Sequence, residues 1–183
     1  LIICLGSGIS GQHPSAPVYT VLTQQSTIAN GNGIVVGDEH VQKFPYENRA
    51  KGCQPIFDGK STGYVVLDKN SELIVTLREQ ISRGDECTFD ELRKPPRSNE
   101  NEKVNWRREP ETKGVFFTAV INHGVQPSEA CYSYAIIAGV SENDFSEKAK
   151  DLLENPELYY HKISQRNNLH AISDVRNKTA TYI

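Results

Sequence analysis

Two groups of residues in this chain of 183 residues carry side chains suited to chemistry. The first is His123, in the polar bend from Asn122 to Pro127 between two strongly apolar runs. An imidazole held rigidly between strands can act as a general base, and Glu129 or an acidic loop could orient it. No nucleophile or set of metal ligands accompanies it, so the plainer reading is a turn histidine. The second group is Trp106, Arg107 and Arg108, in the polar run 91–114. Guanidinium groups recognise carboxylates and sulfates through bidentate hydrogen bonds, and an indole face can stack on the apolar face of a sugar ring. Glu100, Glu102, Glu109 and Glu111 nearly cancel the charge there, so the plainer reading is a solvated loop whose tryptophan plugs a sheet. His13, His40, His161 and His170 share no ligand spacing. Cys4, Cys53, Cys87 and Cys131 form no C-x-x-C pair, so neither a metal site nor a cofactor is expected. The even cysteine count permits disulfides. Cys4 and Cys131 lie in apolar runs, where a free buried cysteine is as natural.

These groups need a frame to hold them. The stretch Gly114 to Gly139 reads as two strands around a bend. Val115, Phe117, Ala119 and Ile121 fall on one face of the first strand. Ala130, Tyr132, Tyr134 and Ile136 share a face of the second, opposite Cys131, Ser133, Ala135 and Ile137. The expectation is a hairpin of central strands in an antiparallel sheet. A second hairpin is expected from Gly63–Leu67 and Leu73–Leu77, joined by Asp68-Lys69-Asn70-Ser71 and preceded by a turn at Asp58-Gly59. A strand from Ile2 should give way to a turn at Gly6, Gly8 and Gly11, followed by a strand over Val18–Gln24. Asn30 to Gly33 is a tight-turn signal before the short strand Ile34–Val36, and residues 38–52 look polar and irregular.

Residues 82–113 read as a long surface loop, with a short strand near Val104–Arg107. Pro95, Pro96 and Pro110 forbid a continuous helix or a central strand there. One helix is expected near 142–155. Ser141 is its N-cap and forms a capping box with Asp144, Phe145, Ala149, Leu152 and Leu153 recur at helical spacing, and Asn155-Pro156 ends it. Short strands follow at Tyr159–Ile163, Leu169–Ile172 and Ala180–Ile183. The fold class is therefore all-β: an antiparallel β-sandwich with one short α-helix, in one domain over residues 1–183.

Composition limits the function. With 37% hydrophobic and 23% charged residues the chain is ordinary for a globular protein. A net charge of −3 argues against nucleic-acid binding and gives no attraction to a membrane surface. No apolar run approaches the roughly 20 residues that span a bilayer. The chain has no methionine, and both of its ends are strand-like. It is expected to be an internal piece of a longer protein.

Three features together resemble polysaccharide lyase family 8, the chondroitin, hyaluronan and xanthan lyases. Leu5-Gly6-Ser7-Gly8-Ile9 ends a strand and is followed, after a polar loop, by a strand bearing Thr20, Thr23 and Gln24. Gly63-Tyr64 opens a strand after Asp58-Gly59. Asn122-His123-Gly124, Pro127 and Ala130-x-Tyr132-x-Tyr134 then lead into the helix and the last strands. The resemblance runs from about Ile2 to Ile183, is patchy between 38 and 104, and is closest to the chondroitin sulfate ABC lyases. It implies the C-terminal β-sandwich region of a secreted or periplasmic glycosaminoglycan lyase, beside an upstream α-helical toroid. The family's chemistry is β-elimination at a uronic acid. Its Asn, His, Tyr and Arg lie in the toroid, and ABC-type enzymes add a Glu from the early β-region. None of these motifs matches a position here. No catalytic residue is assigned, the chain alone is expected to be inactive, and its expected partners are an acidic polysaccharide and the toroid. Trp106, Arg107 and Arg108 are the candidate substrate-binding residues. The alternatives are a non-catalytic carbohydrate-binding sandwich and a purely structural module.

Overall fold

The computed structural model of the chain describes residues 1–26, 33–82 and 112–183. Thirteen strands, all paired antiparallel, and one α-helix make up the described residues. The strands are β1 (Ile2–Ile9), β2 (Pro17–Ser26), β3 (Ile34–Val36), β4 (Glu39–Val41), β5 (Tyr46–Lys51), β6 (Pro55–Phe57) and β7 (Thr62–Val66). They continue with β8 (Glu72–Ser82), β9 (Thr112–Val125), β10 (Ala130–Ala138), β11 (Tyr160–Arg166), β12 (Leu169–Asp174) and β13 (Thr179–Tyr182). The helix α1 spans Glu142–Glu154. A six-stranded sheet has the order β1-β10-β7-β6-β3-β4, a four-stranded sheet β2-β9-β8-β5, and a small sheet β11-β12-β13.

The six-stranded sheet is buried on both faces. One face meets the four-stranded sheet across a core that includes Ile34, Ile56, Val66, Leu73, Val75, Phe117 and Ile121, with Tyr64, Tyr132 and Tyr134 packed against it. The other face meets α1 and the small sheet through Phe57, Val65, Ala135, Ile137, Phe145, Ala149 and Leu152, with Tyr160 alongside. Period-2 alternation explains how one strand serves both cores. Along β10, Tyr132 and Tyr134 point into the first core, while Ala135 and Ile137 point into the second.

Helix α1 follows its sequence signals. The Ser141 hydroxyl accepts from the Asp144 backbone N–H at 3.2 Å and donates to the Asp144 carboxylate at 2.7 Å, and Phe145, Ala149 and Leu152 are buried. After the C-cap Asn155, a single 3₁₀ turn at Pro156–Leu158 leads into β11.

Five sequence expectations are corrected. The bend expected from Asn122 to Pro127 begins only after Val125, since Asn122-His123-Gly124 are part of β9, and it does not close a hairpin: β9 lies in the four-stranded sheet and β10 in the six-stranded one. The turn after β7 likewise carries the chain across the sandwich to β8. Both bends are arches: each carries the chain from one sheet of the sandwich to the other. At Gly6 the strand does not stop. β1 continues to Ile9 through a register shift between Gly6 and Ile9. Residues 38–52 are not irregular either. They form β4 and the charged edge strand β5, whose Glu47 accepts from Arg49 Nε at 2.8 Å and also pairs with Arg78. The expected loop at 82–113 has strand at both of its margins: Ser82 ends β8, Thr112 opens β9, and the two pair with each other.

Candidate functional site

The residues that matched family motifs are far apart in sequence and converge at one end of the sandwich. Gly6 on β1 pairs with Tyr132 on β10. A Cβ on Gly6 would lie 2.3 Å from Tyr132 Cε1, so only glycine lets that ring lie flat on the strand. Tyr132 is tilted against Tyr134 at 5.7 Å between ring centroids, and the His123 ring stands 6.5 Å from Tyr132. His123 Nε2 and Thr20 Oγ1, from neighbouring strands β9 and β2, share a hydrogen bond of 2.8 Å. Asn122, which precedes the histidine, accepts from the Gly124 N–H at 3.0 Å, and Gly124 takes a left-handed φ of 80°. Asn-His-Gly is therefore no turn but a stretch of β9, where the local bond accompanies the register shift opposite Pro17 and Tyr19.

Electrostatically this end is quiet. His123 is partly buried, and burial holds its pKa below the ordinary 6.5, so it stays neutral at neutral pH. Among the described residues no carboxylate orients it. Glu129 instead accepts from the Asn167 side chain, and Thr20 is the partner of His123. Burial is also the main cause that pushes the Tyr134 hydroxyl well above its usual range, helped by a hydrogen bond with Cys4. A neutral imidazole bound to a hydroxyl can exchange a proton with it, but the site lacks the oriented acid–base pair that strong general-base catalysis needs. The arrangement joins β1, β2, β9 and β10, and the glycine and tyrosine spacing was its sequence signal. Thr20 was visible only as one of the two threonines on β2.

Gly63, from the second motif, does the same on the opposite face. A Cβ there would lie 2.0 Å from Phe145 Cε2, so the Phe145 ring of α1 occupies the space above the glycine. Trp106, Arg107 and Arg108 lie outside the described residues, as do Cys87, the expected short strand at 104–107 and Asn30 to Asn32 of the expected turn. The strands on either side of the Trp-Arg-Arg segment, β8 and β9, form a long antiparallel pair reaching Ser82↔Thr112. Cys4, Cys53 and Cys131 are free thiols. Among the described residues, no group of three or more His, Cys, Asp or Glu side chains is placed to hold a metal ion.

Residues 1–149 match the family model described as polysaccharide lyase family 8, super-sandwich domain. A chondroitin sulfate ABC endolyase of Proteus vulgaris is 23% identical over 158 residues, covering 86% of this chain and 13% of the relative. A chondroitinase AC lyase structure superposes with a TM-score of 0.71 at 18% identity, over 99% of this chain and 23% of that one. A Paenibacillus xanthan lyase does so with a TM-score of 0.72 at 13% identity, over 98% of this chain and 16% of that one. The chain therefore spans less than a quarter of the length of each of these relatives.

Proposed function

The chain belongs to polysaccharide lyase family 8, and from that premise we propose that it is the β-sandwich part of a lyase that degrades chondroitin-type glycosaminoglycans. The observation that carries the reading is the match of residues 1–149 to the family's super-sandwich domain. The relatives are named for chondroitin sulfate and xanthan, and one Streptomyces coelicolor structure holds chondroitin sulphate in its complex. In the proposed reaction a base removes the C5 proton of a uronic acid. A C4–C5 double bond forms, and the 4-linked oxygen leaves with its electron pair and is protonated. The base and acid lie outside this chain, in an α-helical part of the parent protein. This chain supports that part and forms one wall of the substrate cleft, and Trp106, Arg107 and Arg108 contact the polysaccharide there.

The quiet chemistry around His123 favours this division of labour. A neutral histidine bonded to Thr20, with no carboxylate partner among the described residues, suits a packing joint better than a catalytic base. The test is ultraviolet absorbance of the unsaturated uronate product, read beside a binding titration with chondroitin sulfate. This chain alone is expected to give flat absorbance with saturable binding that weakens in Trp106→Ala and Arg107→Ala. The parent protein, carrying the further residues its relatives have, is expected to give product. A rise with this chain alone would move the chemistry inside it and make His123 the first residue to substitute. No product from the parent with chondroitin, dermatan or hyaluronan would overturn the lyase reading.

A further inference from the structure

A cavity of about 620 Å³ lies between β1, the end of β10, α1 and the small sheet. That is within the roughly 300–1,000 Å³ that small-molecule sites take. Its floor is apolar: Ile137, Val140 and Leu152 are buried there, with Ile172 half-buried. Its rim is polar: Lys148, Arg176, Asn177 and Thr181 line the cavity and are exposed. Tyr159 and Tyr160 also line it, both half-buried.

The two rim cations belong to no ion pair. Among the described residues, ion pairs join His40 to Glu142, and Glu47 to Arg49 and Arg78. The two carboxylates that feel the charge of Arg176, Asp151 and Asp174, have their oxygens taken by other donors. Asp151 accepts from the Tyr159 hydroxyl and, at 2.9 Å, from Asn155 Nδ2. Asp174 accepts from the Arg176 and Asn177 backbone N–H groups at 2.9 Å each, and from Asn177 Nδ2 at 2.7 Å. Asp144, one turn before Lys148 on α1, accepts from Ser141. An exposed cation in water is ordinary by itself. Here the Arg176 guanidinium is also held in place, stacked 4.2 Å over the Tyr159 ring, and the apolar floor lies beneath both cations.

A hydrocarbon acid would need an apolar enclosure with one polar end. This rim is polar on more than one element, from Lys148 on α1 to Asn177 and Thr181 at the turn into β13 and along it. An acidic sugar matches that division, since its ring has an apolar C–H face, hydroxyls at its edge and an anionic group. We propose that the cavity binds a short acidic segment of polysaccharide. The sugar C–H face rests on the apolar floor, Lys148 and Arg176 take its carboxylate or sulfate, and Asn177 and Thr181 take its hydroxyls. The proposal rests on the reading above that the substrate is an acidic polysaccharide, and it adds a second contact to the one proposed for Trp106, Arg107 and Arg108. Two contacts on one polymer raise the effective concentration at each.

The test is an NMR titration of the chain carrying Trp106→Ala and Arg107→Ala, so that only the cavity is read. The probe is a chondroitin sulfate tetrasaccharide. Saturable shifts are expected at the amides of Lys148, Tyr160, Arg176 and Thr181. Lys148→Gln and Arg176→Gln, both at exposed positions, should each raise the Kd about three- to fivefold. Thr181→Trp should block binding by filling the cavity from β13. Lys150→Gln, on α1 but outside the cavity lining, should leave the Kd unchanged. Absence of saturable shifts at these amides would overturn the proposal, as would a Kd that neither Lys148→Gln nor Arg176→Gln moves. Equal shifts with uncharged maltotetraose would overturn the role of the two cations. Shifts with decanoate and none with the tetrasaccharide would assign the cavity to a hydrocarbon acid instead. Shifts with the tetrasaccharide, beside a parent protein that yields no product, would keep this site and remove the lyase reading. Product from the parent with no shifts here would do the opposite.

Discussion

The two faces of the six-stranded sheet solve the same packing problem with different means. Toward the four-stranded sheet, strand meets strand, and the space is filled along its length by aliphatic side chains, Phe117 and four tyrosines. Toward α1, one helix of 13 residues covers the sheet, and the small sheet leans in beside it. A cylinder laid on a flat surface leaves a groove along its flank, and the 620 Å³ cavity lies there. Each face also has one glycine that admits an aromatic ring: Gly6 under Tyr132 on the first, Gly63 under Phe145 on the second. The first face is packed strand against strand, and the second is covered by a single helix beside the small sheet.

The sharpest test of that contrast is a pair of cavities. Phe117→Ala, at the centre of the sheet–sheet core, and Phe145→Ala, on the helix, both remove rings that are almost fully buried. Each is expected to cost about 3–5 kcal/mol in denaturant unfolding, with Phe117 at the upper end, because α1 can settle into the space and the sheets cannot. An equal or larger loss at Phe145 would break the comparison. A smaller effect separates the two glycines. Gly63→Ala and Gly6→Ala each overpack a ring and are expected to cost about 1–3 kcal/mol. Gly63→Ala should cost more, since Phe145 is buried and Tyr132 is only partly so. Adding Phe145→Leu should rescue part of the loss at Gly63 and none of the loss at Gly6, as read by the shift in Tm.

The smallest effect is electrostatic and belongs to the first face alone. Burial lowers the His123 pKa in the folded chain. As pH falls below the ordinary 6.5, the unfolded chain therefore takes up that proton more readily than the folded one, and stability drops. Above that pH both states are neutral and His123 contributes no slope. His123→Gln, which keeps a hydrogen-bonding group toward Thr20, should flatten the stability profile from about pH 7 down to the folded-state value. An unchanged profile would mean that the imidazole is as solvated as in the unfolded chain.

Much of this was legible beforehand. The inward faces of β9 and β10 follow from alternation. Ser141, Asp144 and Asn155-Pro156 mark the ends of α1 within a residue. β5 was missed because its outward residues are Glu47, Arg49 and Lys51 and its inward ones are the modest Tyr46, Asn48 and Ala50, so the apolar alternation is weak. β4 was missed because three residues are too few to display a period. At Gly6 a turn and a bulge look the same in sequence, because glycine serves both. The site was half visible. The motif residues were named from the sequence, but the contact of Thr20 with His123 spans 103 positions, and no local pattern encodes it.

What the sequence determined by itself is local: which residues extend, which face of each strand is apolar, where the one helix starts and stops, and where a ring needs a glycine beneath it. These follow from backbone sterics and from side-chain period, which act over a few residues. What only the tertiary structure decided is partnership. A bend of four polar residues fits a hairpin or an arch equally well, since both reverse the chain. The choice depends on which hydrogen-bond partner and which opposing face are available, and those come from strands many tens of residues away. Thus β7 and β8, and again β9 and β10, are neighbours in sequence yet face each other across the core.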